Sequence, residues 1–330
     1  PFMLTAYDPD LKTAELVRNP NWWMDEGPYV DRITFQFVTD QQTVGAMILN
    51  DQADVCLTPL PMTMKEQLPD MFRPIKEFGF NVFWVCPTVP PTDDANVRKA
   101  LFLSVDWDAV FKAAFPTGLG VPTNQIIDPD LPCLDKENSW YKFDVEAAKA
   151  ALAASTYGSA DKLPKLRVTP RGSAETNNRA LEAVMGFWRE NLGITNVEFK
   201  QSPDEFGDET EQDKINLSRD DVVIRFPDSA TYMWTAAHSQ GPVCDPDGGL
   251  LRGYANPEID AALDEALTLD PEDPRRCELT LKAQELFMND YVVMPFGQPV
   301  GTLNAREYVR NYYKGPDVGV IEPWKIKLEK

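Results

Sequence analysis

The chain has 330 residues, more than one hydrophobic core usually organises, so two lobes are expected. It carries 52 acidic and 32 basic residues, and the net charge of −20 argues against binding to nucleic acid or to anionic membrane surfaces. The sequence has no apolar run near the roughly 20 residues that a transmembrane helix needs.

The first part of the chain predicts a strand, a helix and a second strand. Residues 31–38 alternate between apolar and polar side chains, which is typical of a strand. Asp40 is placed to cap a following helix, and residues 54–57 resume an extended path. This order predicts a βαβ unit. Residues 58–76 are rich in proline and methionine and are expected to be irregular.

A dense apolar and aromatic run at 77–89 predicts a buried strand that crosses between lobes. The prolines at 90–91 then force an extended entry into a helix, which Asp93 or Asp94 can cap. Asp106 is placed to begin a second helix. We therefore expect a buried strand followed by two short amphipathic helices.

The middle of the chain predicts a long loop and then a clear α/β unit. Residues 116–143 contain several prolines and little periodicity, which favours a loop, and Asp144 can cap a short helix that runs through Leu152. Residues 165–200 read as strand, helix and strand, with Gly193 ending the helix.

The last third of the chain alternates between solvated segments and short elements. Residues 203–220 are acidic and polar and predict a solvated excursion, after which 222–224 predicts a third strand. The pairs at 256–257 and 273–274 each place a capping residue before a proline, a strong start signal for a helix. Residues 291–294 predict a strand, and the final thirty residues are expected to be extended.

The cysteines do not form a metal-binding or redox pattern. They are odd in number and far apart, and no CxxC occurs. One disulfide is compatible with an oxidising compartment, Cys133 with Cys244 being one candidate pairing, and sequence alone leaves the connectivity open. The five are Cys56, Cys86, Cys133, Cys244 and Cys277.

Motifs for catalysis are nearly absent from the sequence. His238 is the only histidine, so a multi-histidine metal site is excluded and any catalytic triad has to use it. No G-x-S-x-G and no phosphate-binding glycine motif occurs. We therefore expect no catalytic residue, no metal and no cofactor, and we interpret His238 as a polar loop residue.

The stretch PPTDDANVRKAL at 90–101 resembles the "PP-F-D-D-x-x-V-R-x-A-L" signature of family 5 extracytoplasmic solute-binding proteins, the receptors of peptide and nickel ABC transporters. Further stretches resemble other family motifs in the right order. They are RNPNWW at 18–23, GPYVDRI at 27–33, DQADV at 51–55 and YANPEID at 254–260.

This resemblance implies an α/β fold of two lobes that close on a ligand, the type II periplasmic-binding-protein clamshell. Residues 1–80 would complete lobe I, 81–295 would form lobe II, and 296–330 would return to lobe I. The crossings near 78–85 and 295–300 would act as hinges. Family members begin with a signal, a first lobe segment and a small extra domain. By this resemblance, we expect that N-terminal part to lie outside the present sequence.

Two arginines are candidate ligand contacts because open α/β sheets bind ligands beyond the carboxyl ends of their strands. Arg171 follows the strand at 166–168, and Arg225 follows the strand at 222–224. By the resemblance, Arg171 falls where dipeptide-binding members hold the substrate carboxylate. Arg225 falls where peptide-binding members carry an aspartate for the peptide amine. A cation cannot pair with an ammonium group, so the ligand is expected to be anionic or polyhydroxylated. The alternative is that either arginine pairs with an acidic residue of the chain.

Aromatic side chains could provide stacking surfaces for that ligand. Phe83 and Trp84 lie in the crossing strand and point to opposite faces, while Tyr232 and Trp234 follow Arg225 in the chain. Core packing is the alternative for each of the four aromatic residues. Asn81 is a plausible polar contact.

The resemblance implies a periplasmic or lipid-anchored protein that captures a small solute, of peptide, sugar or sugar-acid type, and delivers it to an ABC transporter permease. Its expected partners are that solute, the membrane permease and the N-terminal part of the same protein, with no nucleic acid. One alternative keeps the fold for a sensory or structural role. A second alternative is a hydrolase that uses His238.

Overall fold

The computed structural model describes residues 1–57, 60–76, 79–116, 120–128, 131–134, 140, 142–170, 175–200, 214–223, 227–298, 300–312 and 322–330. The chain divides into two compact units: unit 1 is Pro1–Glu77 with Val300–Lys330, and unit 2 is Phe78–Pro299. The two boundaries lie within a few residues of the crossings that the sequence predicts. The assignment of the units to lobes I and II stays a prediction.

Unit 1 is built from small antiparallel sheets and short helices. A three-stranded sheet has the order β1-β2-β3, and two-stranded ladders join β4 to β10 and β11 to β12. The helix α1, Gln41–Leu49, follows β3 and is capped by Asp40 as predicted. The strands are β1 Phe2–Asp8, β2 Thr13–Arg18, β3 Arg32–Gln36, β4 Arg73–Lys76, β10 Val300–Leu303, β11 Val309–Arg310 and β12 Lys327–Leu328.

The prediction of a βαβ unit in this region is wrong. β3 pairs antiparallel with β2, and the predicted second strand at 54–57 forms an isolated antiparallel bridge between Val55 and Ala305 instead of a parallel strand beside β3. The N–H of Cys56 donates to the carbonyl of Asn304 at 2.8 Å. The returning segment thus finds its partner in the C-terminal part of the chain. Local sequence cannot reveal that choice because the partner lies some 250 residues away.

Unit 2 is a five-stranded mixed sheet with helices on both faces. Its strand order is β7-β6-β8-β5-β9; β6 is parallel to β7 and β8, whereas β5 is antiparallel to β8 and β9. The strands are β5 Gly79–Val85, β6 Leu166–Pro170, β7 Val197–Phe199, β8 Leu217–Val223 and β9 Val293–Gly297. The helices are α2 Ala95–Leu103, α3 Trp107–Ala114, α4 Val145–Ala154, α5 Glu175–Phe187, α6 Ser229–Ala237, α7 Pro257–Thr268 and α8 Pro274–Asn289.

The central strand β5 is buried on both faces, as the apolar run at 77–89 predicts. Phe83 and Val85 face a core formed with α2, α3, α4 and α5, which we call the first core. Phe80, Val82 and Trp84 face a second core formed with α6, α7 and α8. The even and odd positions of one strand therefore serve two separate hydrophobic layers, as the two-residue side-chain period requires.

Helix starts follow the sequence signals closely. Side chains of Asp94, Asp106 and Asp144 accept hydrogen bonds from the first turns of α2, α3 and α4. Asn256 and Asp273 do the same for α7 and α8, each followed by proline. These signals are local, because a cap requires only a side-chain oxygen beside the first free N–H groups of its own helix.

The strand after the acidic segment begins earlier than the sequence predicts. The sequence predicts a solvated excursion through residue 220, whereas β8 spans Leu217–Val223 and lies between β5 and β6. Its polar residues Ser218, Arg219 and Asp220 are buried. Polarity suggested solvent, but the pairing of β8 on both edges places these side chains inside unit 2.

The disulfide also differs from the candidate pairing. Cys133 bonds to Cys277 of α8, and Cys244 is a buried free thiol, as are Cys56 and Cys86. The two bonded cysteines have Cα atoms 4.9 Å apart across a sequence separation of 144 residues. Only the packing of the segment 131–134 against α8 could select this pair.

Candidate functional site

The ends of four unit 2 strands meet at one edge of the sheet. The parallel strands β6 and β8 both run towards this edge, and β8 ends at Val223, opposite Gly79. β5 begins at Gly79 and β9 ends at Gly297, so the two chain connections to unit 1 leave from the same edge. We call it the crossing edge. Such an edge, beyond the carboxyl ends of parallel strands, is where α/β sheets bind ligands.

Both predicted ligand arginines follow strands that run towards this edge. Arg171 comes directly after β6, and Arg225 comes two residues after β8. Both lie outside the described residues. Their role in binding stays a prediction.

Asn81 lies at the crossing edge and is buried in a polar network. Its side-chain amide donates to the carbonyl of Gly297 at 3.3 Å, and its side-chain oxygen accepts from Arg219. Arg219 is fully buried, also donates to the carbonyl of Asp220, and places its guanidinium 5.0 Å from the ring centre of Phe296. A buried cation is therefore held behind the edge.

Arg219 was missed by sequence reasoning. The available signal was a short polar run, Ser218 to Asp221, between apolar residues at 217 and 222. A buried arginine is costly unless hydrogen bonds satisfy its guanidinium. A short polar run between apolar residues of a strand therefore indicates a buried polar network.

Phe83 and Trp84 each fill a core in the structure. Phe83 packs with ring centres 5.1 Å from Phe296 and 5.7 Å from Trp107 in the first core. Trp84 packs 6.5 Å from Phe287 in the second core. The two side chains point to opposite faces of the sheet, as predicted. Each packs in a hydrophobic core, which was the alternative to ligand contact.

The two aromatic residues on α6 occupy different environments. Tyr232 is buried and makes an edge contact of 5.1 Å with Phe80, and its hydroxyl has no hydrogen-bond partner among the described residues. Burial, and then the negative charges of Asp220 and Asp128, raise the pKa of Tyr232 well above its ordinary value. Trp234 is half-buried and its ring stacks on His238 at 5.0 Å.

Asp228 caps α6 and also binds Arg276 of α8. It accepts from the backbone of Thr231 at 2.7 Å and from Arg276 at 2.9 and 3.0 Å. Burial raises the pKa of Asp228, but the hydrogen bonds from Thr231 and Arg276 outweigh it, and the net shift is below the ordinary value. Asp228 therefore serves the packing of two helices.

His238 is buried among polar groups, and no nucleophile in the described part of the chain lies beside its imidazole. Its Nδ1 accepts from the N–H of Gln240 at 3.0 Å, and its Nε2 lies 3.3 Å from Asp264 and 3.8 Å from Asp260. The neighbouring Ser239 hydroxyl donates to Asp260 at 2.6 Å rather than to the imidazole. A base needs the nucleophile's proton within hydrogen-bond reach, and the described part of the chain places none there.

A separate cavity of about 400 Å³ opens beside α3 in unit 2. Its walls mix carboxylates, amides and rings, among them Asp106, Trp107, Asp108, Asn124, Phe143 and Phe296. Because Phe296 comes directly before the last residue of β9, this cavity lies on the first-core side near the crossing edge. The sequence predicted no such cavity.

The described residues contain neither a metal-binding cluster nor a helix suited to cross a membrane. No group of three or more His, Cys, Asp or Glu there is arranged to hold a metal ion. None of the helices described has both the length and the apolar character that crossing a membrane requires.

Sequence similarity to known proteins identifies the family of this chain. The model of the bacterial extracellular solute-binding proteins, family 5 Middle, matches residues 1–242. Heme-binding protein A of Haemophilus influenzae is 22% identical over 333 residues, covering 96% of this chain and 57% of that protein. The oligopeptide-binding protein OppA of Bacillus subtilis is 23% identical over 311 residues, covering 89% of this chain and 54% of that protein.

A solved structure gives the fold. The periplasmic EDTA-binding protein EppA superposes with a TM-score of 0.82 at 20% identity, covering 100% of this chain and 64% of that one. This likeness shows the α/β fold of periplasmic solute-binding proteins. The chain spans about half the length of the curated relatives it matches. Because the family model covers well over half of the sequence, and the motifs at 18–23 and 90–101 lie within the matched residues, the chain belongs to the family 5 bacterial extracellular solute-binding proteins.

Proposed function

We propose that this chain is part of the substrate-binding component of an ABC importer, which captures a small solute by closure of its two units and performs no chemistry on it. The observation that carries this proposal is the crossing edge. Both chain connections between the units leave from the sheet edge where strand ends of unit 2 converge. Closure about two adjacent connections is an established way to enclose a ligand.

The proposed ligand is anionic or polyhydroxylated, such as a sugar acid, rather than an ordinary peptide. The support is the pair Arg171 and Arg225 beyond β6 and β8, since a guanidinium holds a carboxylate with two parallel hydrogen bonds. Relatives in sequence include a heme-binding protein and an oligopeptide-binding protein, and a protein of the same fold binds EDTA. The same fold therefore binds ligands of different chemistry, and ligand specificity depends on the residues at the crossing edge.

The proposed location is extracytoplasmic, either periplasmic or lipid-anchored, with a membrane permease as partner. The Cys133–Cys277 disulfide supports an oxidising compartment, because disulfides persist there and are rare in the cytosol.

A thermal-shift screen against dipeptides, neutral sugars and sugar acids tests the ligand class. A saturating sugar acid is expected to raise the Tm, since a ligand at 100 times its Kd stabilises the folded state by about 2.7 kcal/mol. Arg225→Ala is expected to weaken binding at least tenfold, or about 1.4 kcal/mol. Arg189→Ala, at an exposed arginine two residues after the end of α5, is the matched control and should leave affinity unchanged. A response to unmodified dipeptides alone would refute the anionic assignment.

A further inference from the structure

The cavity beside α3 has room for a small organic molecule. Its volume of about 400 Å³ lies within the roughly 300–1,000 Å³ that is typical of ligand pockets. Every described residue of its wall belongs to unit 2, from Asp106 before α3 to Phe296 in β9. A ligand can therefore bind there without closure of the two units.

Two carboxylates on this wall have no cationic partner among the described residues. Asp106 is half-buried, and its Oδ1 accepts from the N–H of Ala109 at 3.0 Å, which caps α3. Asp108 lies in the first turn of α3 and is exposed. In the part of the chain that the structure describes, neither carboxylate forms an ion pair, and no lysine or arginine lines the cavity. The wall therefore has two negative charges that the described residues do not neutralise.

Aromatic rings form the apolar part of the wall. The ring of Phe143 is 50% exposed and packs edge-on against Phe187 at 6.1 Å, so half of its surface remains available to a ligand. Trp107 and Phe296 lie deeper, in the first core, and Nε1 of Trp107 donates to the carbonyl of Phe102 at 3.3 Å. Aromatic faces attract cations and pack well against apolar groups.

The polar side of the wall is held in place by β9. Thr123 and Asn124 line the cavity, and the hydroxyl oxygen of Thr123 accepts from the N–H of Gln125 at 3.4 Å. Two residues before Thr123, Val121 exchanges backbone hydrogen bonds with Gln298 at 2.6 and 3.0 Å. Walls that are fixed before binding lose little conformational entropy when a ligand binds.

The two carboxylates lie at the start of α3, whereas a later turn of this helix packs at the crossing edge. A Cβ at Gly297, the last residue of β9, would lie 2.6 Å from the ring of Phe111. Asp106 and Asp108 precede Phe111 by three to five residues, which is roughly 5–8 Å along the helix axis. The charged part of the cavity is therefore separate from the strand ends of the crossing edge.

We propose that this cavity is a binding site for a small organic cation, a primary amine with an apolar body. The ammonium group donates hydrogen bonds to Asp106 and Asp108, and the apolar body packs on the ring of Phe143. An anion would meet the same two carboxylates and is rejected. This site goes beyond the proposed function and does not depend on it, because the solute proposed for the crossing edge is anionic or polyhydroxylated.

A ligand-observed NMR titration of the full chain tests the site. The probe is phenethylamine, which joins a primary ammonium group to one aromatic ring. We expect a single site with a Kd of about 1 mM or below, as is reasonable for a ligand of roughly nine non-hydrogen atoms. The neutral 2-phenylethanol and the anionic phenylacetate should bind at least about tenfold more weakly, since neither donates a charge-assisted hydrogen bond. Ionic strength is held constant because salt screens exposed carboxylates.

Isosteric variants identify the groups that bind the probe. Asp106→Asn and Asp108→Asn should each weaken phenethylamine binding about fivefold, because each replaces a charge-assisted hydrogen bond by a neutral one. Asparagine caps a helix as well as aspartate does, so Asp106→Asn should still fold. Phe143→Leu should weaken binding about threefold through loss of the ring.

Asp273→Asn is the matched control. Asp273 is a half-buried aspartate that caps α8 and does not line the cavity, so its replacement removes one charge and should leave the Kd unchanged. Equal affinity for phenylacetate and phenethylamine, or no binding of phenethylamine to the folded chain, would overturn the proposal without any variant. So would an unchanged Kd in the Asp106→Asn/Asp108→Asn double variant, or displacement of the probe by an equal concentration of calcium chloride, which would indicate a site for an inorganic cation.

Discussion

Arg98 shows how a family motif works at the scale of one residue. The guanidinium of Arg98 is buried and donates to the carbonyls of Thr92 at 2.9 Å, Asp93 at 3.3 Å and Asp290 at 2.9 Å. Burial lowers the pKa of Arg98 from its ordinary value, against the raising effect of nearby Asp290. The arginine of the V-R-x-A-L motif therefore fastens the proline-rich turn to the end of α8. It has a structural role and does not contact the crossing edge.

Replacing Arg98 should destabilise the protein strongly. Arg98→Met removes the donors for three carbonyls and is expected to lower the free energy of unfolding by about 3 kcal/mol. Arg98→Lys, with a single ammonium, should recover only part of that loss because it cannot reach all three acceptors in a fixed geometry. Urea unfolding followed by circular dichroism measures both. Arg189→Met, at an exposed arginine, should change the free energy of unfolding by less than about 0.5 kcal/mol. If it lowers stability as much as Arg98→Met does, the buried hydrogen bonds of Arg98 do not explain the effect.

At the scale of elements, the disulfide ties a loop segment to α8. Cys133 lies in the segment 131–134, and Cys277 lies in the first turn of α8, next to Arg276, whose guanidinium holds the cap of α6. The carbonyl of Pro132 also accepts from the hydroxyl of Ser229. Three contacts therefore fix the start of α6, the start of α8 and this segment together.

Reduction of the Cys133–Cys277 disulfide should lower the free energy of unfolding, and cysteine variants should show which two cysteines form the bond. A cross-link over 144 residues restricts the unfolded chain, and its loss is expected to lower the free energy of unfolding by about 2–4 kcal/mol. The measurement is urea unfolding with and without dithiothreitol. Cys277→Ser should make stability insensitive to the reductant, whereas Cys244→Ser should stay as sensitive as the parent protein. The reverse result would restore the pairing of Cys133 with Cys244.

At the scale of the whole molecule, the two units differ in how the chain builds them. Unit 2 is one continuous stretch and contains both large cores, whereas unit 1 is assembled from two separate stretches. The clusters of unit 1 are small: one is built around Ile48 and Met71, and the other around Val309. Independent folding requires a core of its own, so unit 2 meets this requirement from its own residues.

A fragment of residues 78–299 should therefore fold alone. Its expected behaviour is a single cooperative thermal transition with near-ultraviolet circular dichroism from its buried tryptophans, Trp84 and Trp188. A fragment that ends at 242, where the family match ends, is the control, since it lacks α7 and α8 from the second core. That control should bind a hydrophobic dye and unfold without cooperativity. Loss of near-ultraviolet signal in 78–299 would show that unit 2 depends on the rest of the chain.

Local chemistry explains what the sequence determines by itself. The caps at Asp106, Asn256 and Asp273 were predicted correctly because each acts on N–H groups a few residues away. For α2 the sequence left Asp93 and Asp94 open, and Asp94 is the cap. Gly193 was predicted to end its helix for the same reason, and with a φ of +73° it ends the π-helical turn Trp188–Leu192 that continues α5. The family, too, follows from short motifs in a fixed order along the chain.

Tertiary structure alone decides what depends on distant partners. The place of β8 in the middle of the sheet, the burial of Arg219, the bond between Cys133 and Cys277 and the hydrogen bonds of Asp128 with Gly79 and Gln298 all join segments far apart in sequence. Residue type is ambiguous in each case, because an aspartate or an arginine in an acidic chain reads as solvated until its neighbours are known. Burial and pairing are properties of the packed chain, and they turn such residues into the parts of this protein that hold its fold and its crossing edge.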